Sequence, residues 1–244
     1  MWTKGGGEGT DLGGQIHLGF AVDTSVSMAS ELISSANTLL AETFSALRDF
    51  CSTSTLNVYG TVLVFGASCR VIQPMTSAER LTCPPLRIGS DMENNASYTR
   101  LLPLIMDRNV HLDDYAVERL PAQSSATRSL GAKVQSWGRS VTSDGFCLCL
   151  FTDGMLSEKS ILIRNHLGKA LFLNAAREHR FLVRIGSRAE WMTMPQDRIQ
   201  AILGDGSVQS AQVWPQQFPQ QLVGLLTDWE EELLGKESFH SVFD

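Results

Sequence analysis

Short apolar runs alternate with amphipathic helical patterns along most of the chain. Four runs are apolar almost throughout, as expected of strands buried on both faces of a sheet; they cover residues 17–23, 56–65, 146–151 and 181–185. Apolar residues at three- and four-residue steps predict helices, at residues 28–47, 127–137, 157–179, 196–203 and 218–233. Two weaker strands are predicted at residues 70–73 and 208–213. This order of elements predicts an α/β fold.

The alternation of strands and helices indicates one domain with a mostly parallel sheet and helices on both faces. We expect this three-layer domain to cover residues 15–235, with the short strand at 70–73 as an antiparallel edge strand. A flexible, Gly-rich leader is predicted at residues 1–14. The last helix is expected to stop at Gly235, because glycine commonly ends helices, and a tail of residues 236–244 follows.

Residues 74–125 do not follow the strand and helix alternation. This segment mixes five prolines with polar clusters, and it predicts a long insertion in the domain. Two short helices are predicted within it, at residues 98–107 and 113–120. Because long irregular segments in compact domains are usually functional or mobile, we expect the insertion to border the functional face and to influence partner choice.

The charge balance excludes several classes of protein. The 244 residues include 20 basic and 26 acidic side chains, without the basic cluster that binding to nucleic acid requires. No apolar run reaches the roughly 18–20 residues that span a bilayer, and the leader does not resemble a secretory signal peptide. We therefore expect a cytoplasmic protein that binds neither nucleic acid nor membrane.

The five cysteines are dispersed and odd in number, as expected of free thiols in a reducing compartment. Cys147 and Cys149 lie two residues apart in a predicted strand, so their side chains should point to the same face. A structural zinc site requires about four ligands of this kind. We therefore expect these two thiols to pack in the core.

Oxygen-bearing side chains follow two of the buried strands. Asp23 ends the first strand, and Ser25 and Ser27 lie in the turn before the next helix. Asp153 follows the strand at 146–151. Ligands of open α/β sheets bind at the carboxyl ends of the strands, and buried carboxylates require a neutralising partner. These hard oxygen donors suit Mg²⁺ or Mn²⁺.

Asp23-x-Ser25-x-Ser27 after one apolar strand, with Asp153 after a later one, resembles the metal-ion-dependent adhesion site of von Willebrand factor A domains. The resemblance covers residues 15–234 in the order of strands and helices. It implies a Rossmann-like fold with a central, mostly parallel sheet. It also implies that the two serines ligate the cation directly, whereas the two aspartates act mainly through water or as hydrogen-bond acceptors.

The resemblance implies one more ligand, a threonine hydroxyl from the loop that begins the helix before the Asp153 strand. Thr127 fits best, because Asp153 lies 26 positions after it, which accommodates one helix and one strand. Thr99, 54 residues before Asp153, is the alternative. Thr127 can also be interpreted as the N-cap of a helix, as can Asp23 and Ser27.

The implied function is a non-enzymatic, metal-ion-dependent protein interaction module. Neutral hydroxyl ligands leave much of the positive charge on the cation, which then attracts an Asp or Glu carboxylate supplied by a partner protein. In size and in the lack of an export signal, the chain is similar to the soluble bacterial tellurite-resistance (TerY-like) group. That similarity implies an adaptor in a bacterial stress or defence assembly.

Two other functions remain open from the sequence. The first is a Mg²⁺-dependent hydrolase or phosphotransferase, although an aspartyl-phosphate enzyme of the haloacid dehalogenase type requires a second aspartate where this chain has Ser25. The G-x-S-x-G elbow and the Walker loop are also absent from the sequence. We therefore predict no catalytic residue. The second is a metal-free scaffold that keeps only the fold.

Overall fold

A computed structural model describes the chain at residues 14–25, 27–28, 30–66, 69–90, 128, 130–133, 143–155, 175–203 and 209–240. The strands are β1 (Gln15–Asp23), β2 (Asn57–Phe65), β3 (Cys69–Ser77), β4 (Gly145–Thr152), β5 (Glu178–Arg184) and β6 (Gln209–Val213). They form one sheet with the order β3-β2-β1-β4-β5-β6. Neighbouring strands are parallel throughout, except that β3 runs antiparallel to β2 at one edge.

The two central strands are buried along nearly their whole length. In β1 only Gln15 is exposed, and all eight residues of β4 are buried. Strands become this apolar when helices cover both faces of a parallel sheet. The predicted fold class, an α/β fold with a mostly parallel central sheet and one antiparallel edge strand, is confirmed.

The described helices are α1 (Ser30–Cys51), α2 (Arg188–Thr193), α3 (Gln196–Leu203) and α4 (Phe218–His240). Helices α1 and α4 pack on one face of the sheet. Phe44 of α1 meets Phe20 of β1 with ring centroids 5.3 Å apart, and Phe218 of α4 meets Phe151 of β4 at 5.2 Å. Edge-to-face pairs of this kind add to the apolar area that the helices bury.

The opposite face of the sheet is covered by α2 and α3. Trp191 of α2 packs in the same apolar cluster as Ile199 and Ile202 of α3. The indole nitrogen of Trp191 donates a hydrogen bond of 3.0 Å to the carbonyl of Ile185, just after β5. This contact ties the helix pair to the strand end and completes the three layers.

The sequence interpretation did not predict α2. Its first turn is a capping box, in which Ser187 Oγ accepts a hydrogen bond from the amide of Glu190 and the Glu190 carboxylate accepts one from the amide of Ser187. The pattern Ser-x-x-Glu at these positions is the sequence signal for such a helix start. With only six residues, α2 is too short to show helical periodicity.

Two strand boundaries differ from the prediction. β3 ends at Ser77 rather than at residue 73, so the first residues of the predicted insertion complete an edge strand. β5 begins at Glu178, which places the last two residues of the predicted helix 157–179 in the sheet. A salt bridge of 3.1 Å between Glu178 and the buried Arg180 allows charged residues to lie in this strand. The start of the strand therefore lacks the apolar pattern that predicts a strand from sequence.

Helix α4 continues through Gly235 to His240, so the predicted tail begins with helical residues. A single glycine costs a helix only about 1 kcal/mol relative to alanine, and it need not end one. None of the described helices combines the length and apolar character needed to cross a membrane. Outside the described residues lie the leader up to residue 13, the predicted helices at 98–107 and 113–120, and most of that at 157–179.

The cysteines are free thiols, as predicted. The Sγ atoms of Cys147 and Cys149 lie 3.7 Å apart on one face of β4, and both side chains are fully buried. They belong to the same apolar cluster as α1 and α4. The expectation that these two thiols share a face and pack in the core is therefore confirmed.

Gly145 at the start of β4 is a position where an added side chain would meet the buried core. A Cβ atom there would lie 2.7 Å from Cζ3 of Trp229 and 2.9 Å from Cδ1 of Ile16. Because both neighbours are buried, we expect Gly145→Ala to lower the free energy of unfolding by about 1–3 kcal/mol. Urea unfolding followed by circular dichroism measures this change.

Gly224→Ala is the matched control. Gly224 lies inside α4, and a Cβ atom added there has no neighbour within 4 Å. Alanine should raise the stability by about 0.5–1 kcal/mol at this position, because it favours the helix. Equal effects of the two substitutions would contradict the packing that places Trp229 against Gly145.

Candidate functional site

The carboxyl ends of β1 and β4 meet at the centre of the sheet. The two strands pair in parallel up to Val22 and Phe151, so Asp23 and Thr152 follow side by side. Thr152 Oγ1 donates a hydrogen bond of 2.7 Å to Asp23 Oδ2. Asp153 is the next residue along the chain, and the two predicted aspartates therefore lie at the ends of neighbouring strands, as the sequence suggested.

Asp23 is a fully buried carboxylate. Its Oδ1 atom accepts a hydrogen bond of 2.9 Å from the amide of Ser25, and its Oδ2 atom accepts the one from Thr152. The pKa of the Asp23 carboxyl is raised to about 6, chiefly because burial penalises the charged form, with a further contribution from the charge of Asp153. Hydrogen bonds from Ser25 and Thr152 oppose this rise.

The two serines of the turn after β1 place their hydroxyls together. Ser25 Oγ and Ser27 Oγ are 3.0 Å apart and hydrogen-bond to each other. The amide of Met28 donates to the carbonyl of Ser25 at 3.1 Å, which closes the turn. Met28 is fully buried, whereas Ser27 is exposed, so one side of the turn is anchored in the core and the other faces solvent.

Asp153 is held by a tight turn after β4. Its Oδ1 atom accepts a hydrogen bond of 2.9 Å from the amide of Met155. Between them, Gly154 has a φ of 78°, in the left-handed region that favours glycine. The amide of Gly154 donates to Thr152 Oγ1 at 2.9 Å, so Thr152 links the Asp153 turn to Asp23.

A third segment reaches the end of β1 from the other side. The amide of Gly89 donates a hydrogen bond of 2.8 Å to the carbonyl of Thr24, and Gly89 also has a positive φ of 73°. The amide of Thr24 in turn donates to the carbonyl of Phe65 at the end of β2, at 2.7 Å. Residues 87–90 therefore form part of the rim around the site.

The donor set suits a small, hard cation. Adjacent ligands of an octahedral Mg²⁺ ion lie about 3 Å apart when each Mg–O distance is about 2.1 Å. The separation of 3.0 Å between Ser25 Oγ and Ser27 Oγ matches that edge. The buried Asp23 supplies a negative charge beside the pair, and a cation would favour its ionised form. These residues therefore fit a Mg²⁺ ion chemically.

Thr127 and Thr99, the two candidates for the threonine ligand, lie outside the described residues. Among the residues that the structure does describe, no group of three or more His, Cys, Asp or Glu side chains could hold a metal. The sequence interpretation gave no role to Thr152 or Gly89, both of which shape the site through hydrogen bonds.

No protein-family model matches the chain, and no curated protein matches it. Among solved structures, it is similar to the PilB minor pilin from Streptococcus sanguinis, with 10% identity and a TM-score of 0.51 over 91% of this chain and 62% of the pilin. A mutant of the same pilin aligns with 13% identity and a TM-score of 0.54, over 91% and 63%. The chain thus spans less than two thirds of the pilin.

A von Willebrand factor type A protein from Catenulispora acidiphila also aligns, with 15% identity and a TM-score of 0.40 over 91% of this chain and 42% of that one. At such identities, the similarity to the pilin shows a shared fold alone. The function therefore has to be argued from the residues at the ends of β1 and β4.

Proposed function

We propose that this chain is a metal-dependent protein interaction module whose Mg²⁺ or Mn²⁺ ion is held at the ends of β1 and β4. Ser25 and Ser27 would ligate the ion directly, and Asp23 and Asp153 would bind it through water. The observation that carries the proposal is the hydroxyl pair, 3.0 Å apart, beside a fully buried carboxylate. The missing threonine ligand would be Thr127 or Thr99.

The charge on such an ion explains why the site would bind a protein. Hydroxyl ligands are neutral, so the cation keeps more of its charge than it would among carboxylates. The exposed Ser27 side lies open to solvent. An Asp or Glu carboxylate from a partner would complete the coordination there, in a charge-assisted contact that water cannot match. No acid, base or nucleophile is needed, and the proposal is therefore a non-enzymatic one.

The cellular setting of the proposal follows the resemblance described above. An adaptor of this kind would join two proteins of a bacterial stress or defence assembly in the cytoplasm. The cation at the carboxyl ends of β1 and β4 would hold one of these two proteins. This assignment extends the metal-dependent binding and is tested separately, by identifying the partner.

Loss of the hydroxyls should abolish cation binding without unfolding the protein. We expect Ser25→Ala and Ser27→Ala each to weaken Mg²⁺ and Mn²⁺ binding at least about tenfold, because each removes one direct ligand, worth more than about 1.4 kcal/mol. Isothermal titration calorimetry measures the two affinities. Ser52→Ala is the matched control, since Ser52 is an exposed serine at the far end of α1 and bonds only locally, to the carbonyl of Asp49.

Wild-type protein that takes up neither ion would exclude the metal-dependent function while leaving the fold intact. Mg²⁺-dependent hydrolysis of a phosphoester that disappears in Asp23→Ala would instead identify an enzyme. Cation binding that survives in both serine variants would show that the ion lies elsewhere.

A further inference from the structure

Exposed apolar side chains flank the candidate metal site. Five large apolar side chains are exposed among the described residues, and two of them adjoin residues of the site. Met155 is 65% exposed and closes the Asp153 turn, and Ile88 is 41% exposed and precedes Gly89. Apolar patches with a polar rim mark protein-binding surfaces, and methionine adapts well to varied partners.

A groove begins directly beside the Asp153 turn. It has a volume of about 460 Å³ and is lined by Met155, Met194, Pro195, Thr193, Glu190, Asp197 and Arg198. Arg198 Nη1 donates a hydrogen bond of 3.4 Å to the carbonyl of Gly154. The wall of the groove and the turn that holds Asp153 are therefore parts of one structure, and a molecule bound to the cation would lie at the mouth of the groove.

The size and lining of the groove favour a polypeptide. A volume of 460 Å³ accommodates several side chains and is far larger than a single carboxylate or phosphate requires. The two methionines and Pro195 provide an apolar floor, which rewards burial of an apolar side chain. The cation beside it requires a carboxylate. A segment that satisfies both therefore carries an acidic and an apolar residue close together.

The charges at the rim indicate a third feature of that segment. Glu190 and Asp197 contribute two carboxylates to the lining, against the one guanidinium of Arg198. The whole chain has a net charge of −6. A basic side chain on the same segment would therefore be attracted to these carboxylates, and the field of the protein would speed its approach.

We propose that the Met155–Met194 groove, defined by the seven residues above, is the specificity pocket for the partner protein. It receives a segment in which an acidic residue for the cation lies within a few residues of an apolar and a basic side chain. This inference rests on the proposed metal-dependent function. It identifies the features of the partner segment that binding to the cation alone would not select.

A random dodecapeptide library displayed on phage tests the proposal. Selection uses wild-type protein in Mg²⁺, with acid elution so that recovery does not presuppose the metal. We expect enriched peptides to share the acidic, apolar and basic pattern.

Fluorescence anisotropy should show binding that chelator abolishes and that Met155→Gln or Thr193→Arg weakens about tenfold. Met75→Gln, at an exposed methionine on β3, should change nothing.

Calorimetry keeps the two proposals apart, because the groove variants should bind Mg²⁺ as the wild type does. Peptides that depend on Mg²⁺ and Ser25 but not on the groove would overturn this inference and leave the proposed function standing. Peptides that need the groove but not the cation would also overturn this inference. So would a failure to enrich any peptide, or self-association of the chain that Met155→Gln removes.

Discussion

Asp23→Asn should make the metal-free protein more stable near pH 8 and remove its response to Mg²⁺. The Asp23 carboxyl has a pKa raised from 3.8 to about 6 by burial, so its ionised form destabilises the folded state. That rise in pKa corresponds to a loss of about 3 kcal/mol in the free energy of unfolding near pH 8. We expect a neutral asparagine to recover about 2 kcal/mol of this loss. For a domain of this size, the melting temperature would rise by about 4–8 °C. Chelator-treated samples in a thermal unfolding experiment measure this change.

The advantage of Asp23→Asn should depend on pH in a defined direction. Between a pKa of 3.8 in the unfolded chain and about 6 in the folded one, the folded state binds more protons. Stability from this group therefore falls as the pH rises through that window and stays low above it. Lowering the pH from about 7 to 4 should accordingly bring the wild type closer to the variant.

Added Mg²⁺ should reverse the order of stability. The wild type gains stability because the cation binds only the folded state, whereas the variant has lost the charge that attracts the ion. Asp228→Asn is the control, since Asp228 is an exposed carboxylate on α4. A metal-free Asp23→Asn protein that melts well below the wild type near pH 8 would contradict the assigned cost of burying this charge.

Gly154→Ala should weaken both the fold and the candidate site. The φ of 78° at Gly154 costs alanine about 1–2 kcal/mol. A Cβ atom there would also lie 2.7 Å from Sδ of Met194 and 3.0 Å from Cη2 of Trp191. Such crowding adds about 1–3 kcal/mol. We expect a total loss of about 2–5 kcal/mol in urea unfolding, with cation affinity reduced because the turn positions Asp153.

A double-mutant cycle with Met194→Ala separates the two causes. Removing the Met194 side chain relieves the crowding but not the strain of the positive φ. The two substitutions should therefore be less harmful together than the sum of their separate effects, by about 1–2 kcal/mol. Strictly additive effects would show that Gly154 is required for its backbone conformation alone.

The sheet was predictable where strands are buried on both faces. β1 and β4 are apolar along their length because helices cover both sides, and this is the pattern that the sequence shows most clearly. Elements with other physical origins were harder to predict. The start of β5 carries an ion pair between Glu178 and Arg180, and α2 depends on the cap at Ser187. Both elements are stabilised by contacts between nearby side chains, and neither shows an apolar periodicity.

Part of the candidate site could also be predicted. Asp23, Ser25, Ser27 and Asp153 are polar groups at the ends of apolar strands, and the rule that such ends meet brings them together. Thr152 was missed because it ends the same strand that Asp153 follows, and its role depends on which strand lies beside β4. A polar residue closing an otherwise apolar strand was the available signal.

The hydrogen bond from Thr152 to Asp23 joins two residues that are 129 positions apart in the chain. We expect contacts over such separations to form after the folding transition state, because a long loop has to be closed first. Interactions that are absent from the folding transition state slow unfolding instead of speeding folding. A cation held beside this bond would therefore lengthen the lifetime of the folded molecule and leave the time it needs to fold unchanged.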